Sequence, residues 1–181
     1  MKAVSVKQPW AQLLIFGLAD GRIKKGETRT WPIRHRGPLL IVASKSEDKE
    51  AMDYFGFERG SLPLGKAVGV VEVHDCREMK PEDEEIAMCP VYPGAYIWLC
   101  RCTYPVDLFA VKGKLNIYKV DCDEVQYEYA ERVAILELNN PMMNKLYIKN
   151  KAAKEIRERF EPLINTNELE LFKTGSTVNN Q

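Results

Sequence analysis

The chain opens on alternation. Residues 3–7 switch between apolar and polar side chains with the two-residue period of a strand. From Gln8 the period lengthens. Gln8-Pro9-Trp10 opens a helix, with proline in the first turn, where its missing N–H leaves no hydrogen bond unmade. Ala11 to Phe16 carry the helix to Gly17, a glycine suited to a left-handed C-cap. Only Gln12 breaks the apolar surface, so this helix is expected to be buried on most sides. Gly21 and Gly26 bracket a lysine-bearing loop, and a strand over residues 28–33 carries Pro32, which suits an edge or a bulge. After the turn Arg36-Gly37-Pro38, residues 39–43 are wholly apolar and read as a buried strand. Ser46, followed by Glu47 and Asp48, is the expected N-cap of a helix that Gly56 ends. Further strands are expected at 66–73, 96–102, 105–111 and 117–120. The acidic stretch 78–90 reads as a solvated helix or loop.

Six or seven short strands with few helices define an α+β chain built on a small β-barrel, with a buried helix after the first strand. The first domain is expected to span residues 1–122. Beyond Cys122 the pattern changes: an acidic, tyrosine-rich run, an apolar run at 133–138, the break Asn139-Asn140-Pro141, and an amphipathic helix at 151–160 in which Glu155 faces Arg159. Residues 123–181 therefore read as a C-terminal helical extension packed on the first domain, with a frayed polar end. The same extension is the natural place for a protein partner, which would make the chain an interaction adaptor.

Charge changes this picture. The chain has 181 residues, with 26 basic and 26 acidic side chains. Residues 1–45 hold nine basic against two acidic, a net of +7, and residues 46–90 hold five against twelve, a net of −7. The overall zero is a cancellation, so avid binding along a long phosphate backbone is not expected, while a basic first quarter is. No run approaches the ~20 apolar residues of a membrane span, and no signal-peptide pattern precedes the first strand. The five cysteines lack a CxxC spacing. With two histidines they supply no tetrahedral zinc set, so reduced thiols, no metal, no cofactor and a cytoplasmic location are expected.

Candidate chemistry concentrates in the basic quarter: Gln8, Trp10, Lys24, Glu27, Arg29, Trp31, Arg34, His35 and Arg36. Gln8 stands where strand hands over to helix, and its amide offers the donor and acceptor that suit a base edge. Trp10 and Trp31 offer flat faces for stacking, as single-stranded nucleic acid recognition requires. In a regular strand Glu27, Arg29 and Trp31 share one face. Arg34 and Arg36 can meet phosphates, and Lys112 can extend a basic rim.

Gln8-Pro9-Trp10-Ala11, Lys24-x-x-Glu27-x-Arg29-x-Trp31 and Arg36-Gly37-Pro38-Leu39-Leu40-Ile41-x-Ala43-Ser44 together resemble the ASCH domain family. Supporting matches are Ala67 to Val73, Tyr96-Ile97-Trp98-Leu99 and Val111-Lys112-Gly113-Lys114-Leu115. The resemblance covers about residues 3–121, whereas 123–181 resemble nothing named. It implies a PUA-like β-barrel with a cleft between the first helix and the barrel, lined by Gln8, Pro9, Trp10, Lys24, Glu27 and Arg29. Relatives are associated with RNA binding, transcription coactivation and RNA processing. One bacterial branch hydrolyses acetylated cytidine through a lysine, a threonine three residues later and a strand glutamate. By that resemblance the lysine is Lys24 and the glutamate is Glu72, but Glu27 occupies the threonine position. The expected function is thus binding of RNA through a nucleobase, modified nucleoside or nucleotide. The alternative is an amidohydrolase using Lys24, Glu27 and Glu72; for Glu72 a solvent-facing strand position is an equal alternative.

Overall fold

The computed structural model describes residues 1–123, Val125, Glu128 and Tyr129. The expected extension over 123–181 lies outside the described residues apart from those few positions. Met1–Val125 forms a compact unit of its own.

Its elements are β1 (Lys2–Gln8), α1 (Trp10–Ile15), β2 (Gly26–Arg29), β3 (Gly37–Glu47), α2 (Lys49–Tyr54), β4 (Lys66–Glu78), α3 (Glu84–Ala87), β5 (Tyr96–Ala110) and β6 (Ile117–Lys119). They form one mixed sheet in the order β2-β5-β4-β3-β1-β6, parallel only between β1 and β3. The parallel pair needs a crossover, which α1 and β2 supply.

The barrel expected from the strand rhythm is corrected here: the sheet is open. Among the described residues β2, four residues long, pairs only with β5, and β6, three residues long, pairs only with Lys2 to Val4. Neither edge reaches the other. Two strands expected at 96–102 and 105–111 are one, β5, carried through the Thr103-Tyr104-Pro105 region by the register shifts of its pairing with β4. The strand expected at 28–33 starts earlier and stops at Arg29, ahead of Pro32, which cannot donate to a ladder. The helix cap moves from Ser46, which lies in β3, to Asp48, whose carboxylate accepts from the Ala51 N–H at 3.1 Å.

α1 lies against β1, β3, β4 and β5. Ala11, Leu13, Leu14 and Ile15 are buried, as the apolar run predicts, and each large side chain there contributes about 1.5–3 kcal/mol on burial. The close approach depends on Gly69 in β4, where an added Cβ would stand 2.7 Å from both the Ile15 side chain and the Tyr104 carbonyl. Gly17 ends the helix region with φ +70°, the left-handed geometry expected of it. The main core joins Val4, Val6, Leu14, Ile15, Leu39, Ile41, Val71, Val73 and Trp98. Among the described residues no helix is long and apolar enough to cross a membrane.

Candidate functional site

A cleft of about 430 Å³ opens where the sheet fails to close. That volume falls within the range of small-ligand sites, about 300–1,000 Å³. Its walls come from four separated stretches of the sequence, residues 5–10, 24–29, 44–48 and 89–92. β1 gives Ser5, Val6 and Lys7, and α1 gives Trp10. The loop into β2 and β2 itself give Lys24, Glu27, Thr28 and Arg29. The end of β3 and the start of α2 give Ser44, Ser46 and Asp48, and the turn after α3 gives Cys89 and Tyr92.

Lys24 is positioned by its backbone. Its N–H donates to the Leu13 carbonyl at the end of α1 (2.9 Å). Next to it the Lys25 N–H donates to Ile86 (2.8 Å), and the Lys25 carbonyl accepts from Cys100 (2.8 Å). The loop is thereby clamped between α1, α3 and β5, and the Lys24 side chain is driven inward to 1% exposure. Its Nζ donates to the carbonyl of Ala87, the last residue of α3, where helical carbonyls lack partners of their own. The same nitrogen stands 5.3 Å from the centroid of the Trp10 ring, a cation–π distance. Burial pushes the Lys24 amine below the usual lysine range. The Glu27 carboxylate opposes that shift without cancelling it.

The two-residue period of β2 puts Glu27 and Arg29 on one side, opposite Trp98 and Tyr96 of β5. Glu27 is 5% exposed, and its Oε1 lies 2.9 Å from Nη2 of Arg29. The same Nη2 donates to the Ser5 carbonyl at 2.9 Å, so one guanidinium ties β2 to the free edge of β1. The Arg29 Nε is buried and has no hydrogen-bond partner among the described residues. Trp10 is held by Asp48, whose Oδ2 accepts from the indole Nε1 at 3.0 Å while Oδ1 caps α2. The Trp10 ring also meets Phe55 edge-on, with centroids 5.5 Å apart. Burial raises the Cys100 thiol to about 12, which keeps it protonated and inert beside Glu27.

Of the residues expected from the sequence, Trp10, Lys24, Glu27 and Arg29 converge on the cleft. The others stand elsewhere. Gln8 is fully buried, and its amide is occupied: Oε1 accepts from the Gln12 N–H and Nε2 donates to the Pro63 carbonyl, both at 3.0 Å. Gln8 thus ties the start of α1 to a distant loop, and the buried Pro9 lies beside it. Trp31 packs edge-on against Trp98, with centroids 4.7 Å apart, at the margin of the core. Arg34 is exposed, and Arg36 is engaged by the Ile33 carbonyl and Asp75. Glu72 pairs with Arg101 across β4 and β5 at 2.8 Å, and Lys112 is exposed outside the cleft lining. Sequence reasoning missed Ser5, Lys7, Ser44, Ser46, Asp48, Cys89 and Tyr92. The acidic stretch 78–90, expected only as solvated surface, closes one wall through Ala87 and Cys89. Among the described residues no cluster of His, Cys, Asp or Glu could hold a metal ion.

The chain is 30% identical over 132 residues to activating signal cointegrator 1 from Homo sapiens, and equally to the same protein from Mus musculus. That match covers 65% of this chain and 22% of each relative, so the chain spans about a fifth of the curated relatives' length. Among solved structures it is similar to ASCH from Zymomonas mobilis, at 12% identity and a TM-score of 0.49, covering 71% of this chain and 93% of that one. The model of the ASCH domain matches residues 4–142, which include every wall of the cleft. With that span of the sequence accounted for, the chain belongs to the ASCH domain family.

Proposed function

We propose that this ASCH domain binds RNA by taking a nucleobase, modified nucleoside or nucleotide into the cleft between α1, β1 and β2. The observation that carries this is the pairing of opposed charges with an aromatic ring in one small cavity: Lys24, Glu27 and Arg29 beside Trp10. A nucleobase presents carbonyl oxygens, N–H groups and a flat face, and these side chains offer partners for each. The unpartnered Arg29 Nε adds a donor that a ligand oxygen would satisfy. The association of ASCH domains with RNA points the same way. The cleft also holds carboxylates, Glu27 and Asp48, which suits a site selective for a base over one that grips phosphate alone. The test is titration of nucleoside 5′-monophosphates and short single-stranded RNAs, followed by tryptophan fluorescence and thermal shift. Wild-type protein is expected to bind, and Lys24→Met and Glu27→Gln are expected to weaken binding. Absence of binding to every one of these probes would refute the proposal.

A hydrolase acting on an acylated nucleoside has one observation of its own in favour: Lys24 is a buried amine of lowered pKa, a fit general base, with Glu27 and Thr28 in the same cleft. Glu72 takes no part in that version, since its carboxylate is turned to Arg101. Release of acetate from acetylated cytidine, lost in Lys24→Met, is the expected signature. No turnover above buffer would remove it.

A further inference from the structure

Main-chain groups along a strand face alternate sides. In β1 the odd-numbered residues face away from β3. The Met1 amine and carbonyl exchange hydrogen bonds with Val120 at 2.7 and 2.9 Å, and Ala3 stands opposite Tyr118 of β6. The Ser5 carbonyl accepts from Arg29 on that same side. Even-numbered residues face β3, as the Gln8 carbonyl shows by accepting from the Asp48 N–H at 2.7 Å. β6 begins at Ile117, opposite Val4, and the residue before it, Asn116, turns the chain with φ 58°. Lys7 is the next odd residue. It lies beyond the reach of β6 and one step past the carbonyl taken by Arg29, it lines the cleft, and no strand among the described residues stands opposite it.

The geometry points to the main-chain N–H and C=O of Lys7 as the donor–acceptor pair that holds the edge of the bound base. This rests on the nucleobase reading above and says which atoms recognise it. In an extended strand the N–H and C=O of one residue point the same way, and together they match the adjacent acceptor and donor on a Watson–Crick edge. A peptide adding as a strand is the other ligand that free edge groups attract. Among the described residues the open stretch is short: Arg29 takes the Ser5 carbonyl on one side, and β1 ends at Gln8 on the other. A two-point ligand fits that opening, and a ladder of several residues does not.

Lys7→Pro deletes the N–H, and deleting a donor with no ladder partner leaves the sheet bonds intact. Lys7→Ala keeps the N–H and removes the side chain beyond Cβ, charge included, so it measures the side chain's share. With nucleoside 5′-monophosphates as probes, Lys7→Pro is expected to bind on the order of tenfold more weakly than Lys7→Ala. In wild-type protein the Lys7 amide is expected to shift in a ¹H–¹⁵N spectrum and to exchange more slowly when nucleotide is added. Binding by Lys7→Pro equal to that of Lys7→Ala overturns the inference and leaves the nucleobase reading standing. So does an unmoved Lys7 amide at saturating nucleotide, which decides the matter even if the proline variant fails to fold. Lys7 protection by an extended peptide but by no nucleotide assigns the edge to strand addition, and wild-type protein that binds no nucleotide overturns both.

Discussion

Asp48 has the most to lose from a single change, because its two carboxylate oxygens do different things. Oδ1 caps α2 through the Ala51 N–H at 3.1 Å, and Oδ2 holds the Trp10 indole at 3.0 Å. Asp48→Ala removes both. Loss of an N-cap costs about 1 kcal/mol. An indole N–H stranded in a half-buried position costs about 1 kcal/mol more. The sum, about 2 kcal/mol, lowers the melting temperature by roughly 6–12 °C for a domain of this size. Asp48→Asn retains one accepting oxygen and can serve either the cap or the indole, so its cost is about half, about 1 kcal/mol. The backbone bond from the Asp48 N–H to the Gln8 carbonyl survives in both variants and so drops out of the comparison. Urea denaturation followed by far-UV circular dichroism gives the two free energies. Tryptophan fluorescence reads the freed Trp10 ring separately. An Asp48→Ala protein within about 0.5 kcal/mol of wild type would refute the shared role of the carboxylate. An asparagine variant as unstable as the alanine one would refute the division of labour between its oxygens.

Gly69→Ala is expected to destabilise by about 1–3 kcal/mol, since the new methyl would meet Ile15 and the Tyr104 carbonyl at 2.7 Å; a chemical denaturation curve matching wild type would contradict that packing. Lys24 has its pKa lowered in the folded state below the ordinary 10.5. Between the folded value and 10.5 the unfolded chain therefore binds more protons, and stability contributed by this site rises with pH across that window. Measured against Lys24→Met, wild-type stability should improve as pH climbs toward 10.5, and a gap that is flat or widens the other way counts against the burial-driven shift. The Cys100 thiol, raised to about 12, should resist iodoacetamide in the native protein at pH 8.5 and react after unfolding; peptide mapping that finds it modified in the native state would deny its burial.

What could be read ahead of the structure followed a physical divide. Local periodicity located β1, α1, the apolar part of β3 and the left-handed Gly17, because those depend on neighbours within a turn or two. Closure of the sheet is not local. It turns on β2 stopping at Arg29 and β6 at Lys119, and strand length is set by what packs opposite. At the site, Lys24, Glu27, Arg29 and Trp10 were legible because costly charges and an aromatic crowd one short segment. Gln8 was legible as special, but its amide turned out to be spent within the fold. Lys7 and Cys89 were illegible: one is a lone lysine near the end of an alternating strand, and the other sits after an acidic run that looks like ordinary surface. Serines 44 and 46 line the cleft where β3 and β1 lose register between Val6 and Gln8, an irregularity that local periodicity does not announce.

The four separated stretches that wall the cleft have a thermodynamic corollary. Ser5, Lys24, Ser44 and Cys89 are brought together by pairings between strands far apart in sequence, so the pocket depends on an assembled fold. Occupancy by a ligand that binds the folded domain and not the unfolded chain is then coupled to the unfolding equilibrium. A ligand at a hundred times its Kd adds about 2.7 kcal/mol to the stability of the entire Met1–Val125 unit. Heat denaturation of this domain is thus itself a binding assay, able to rank candidate ligands before any one of them is known.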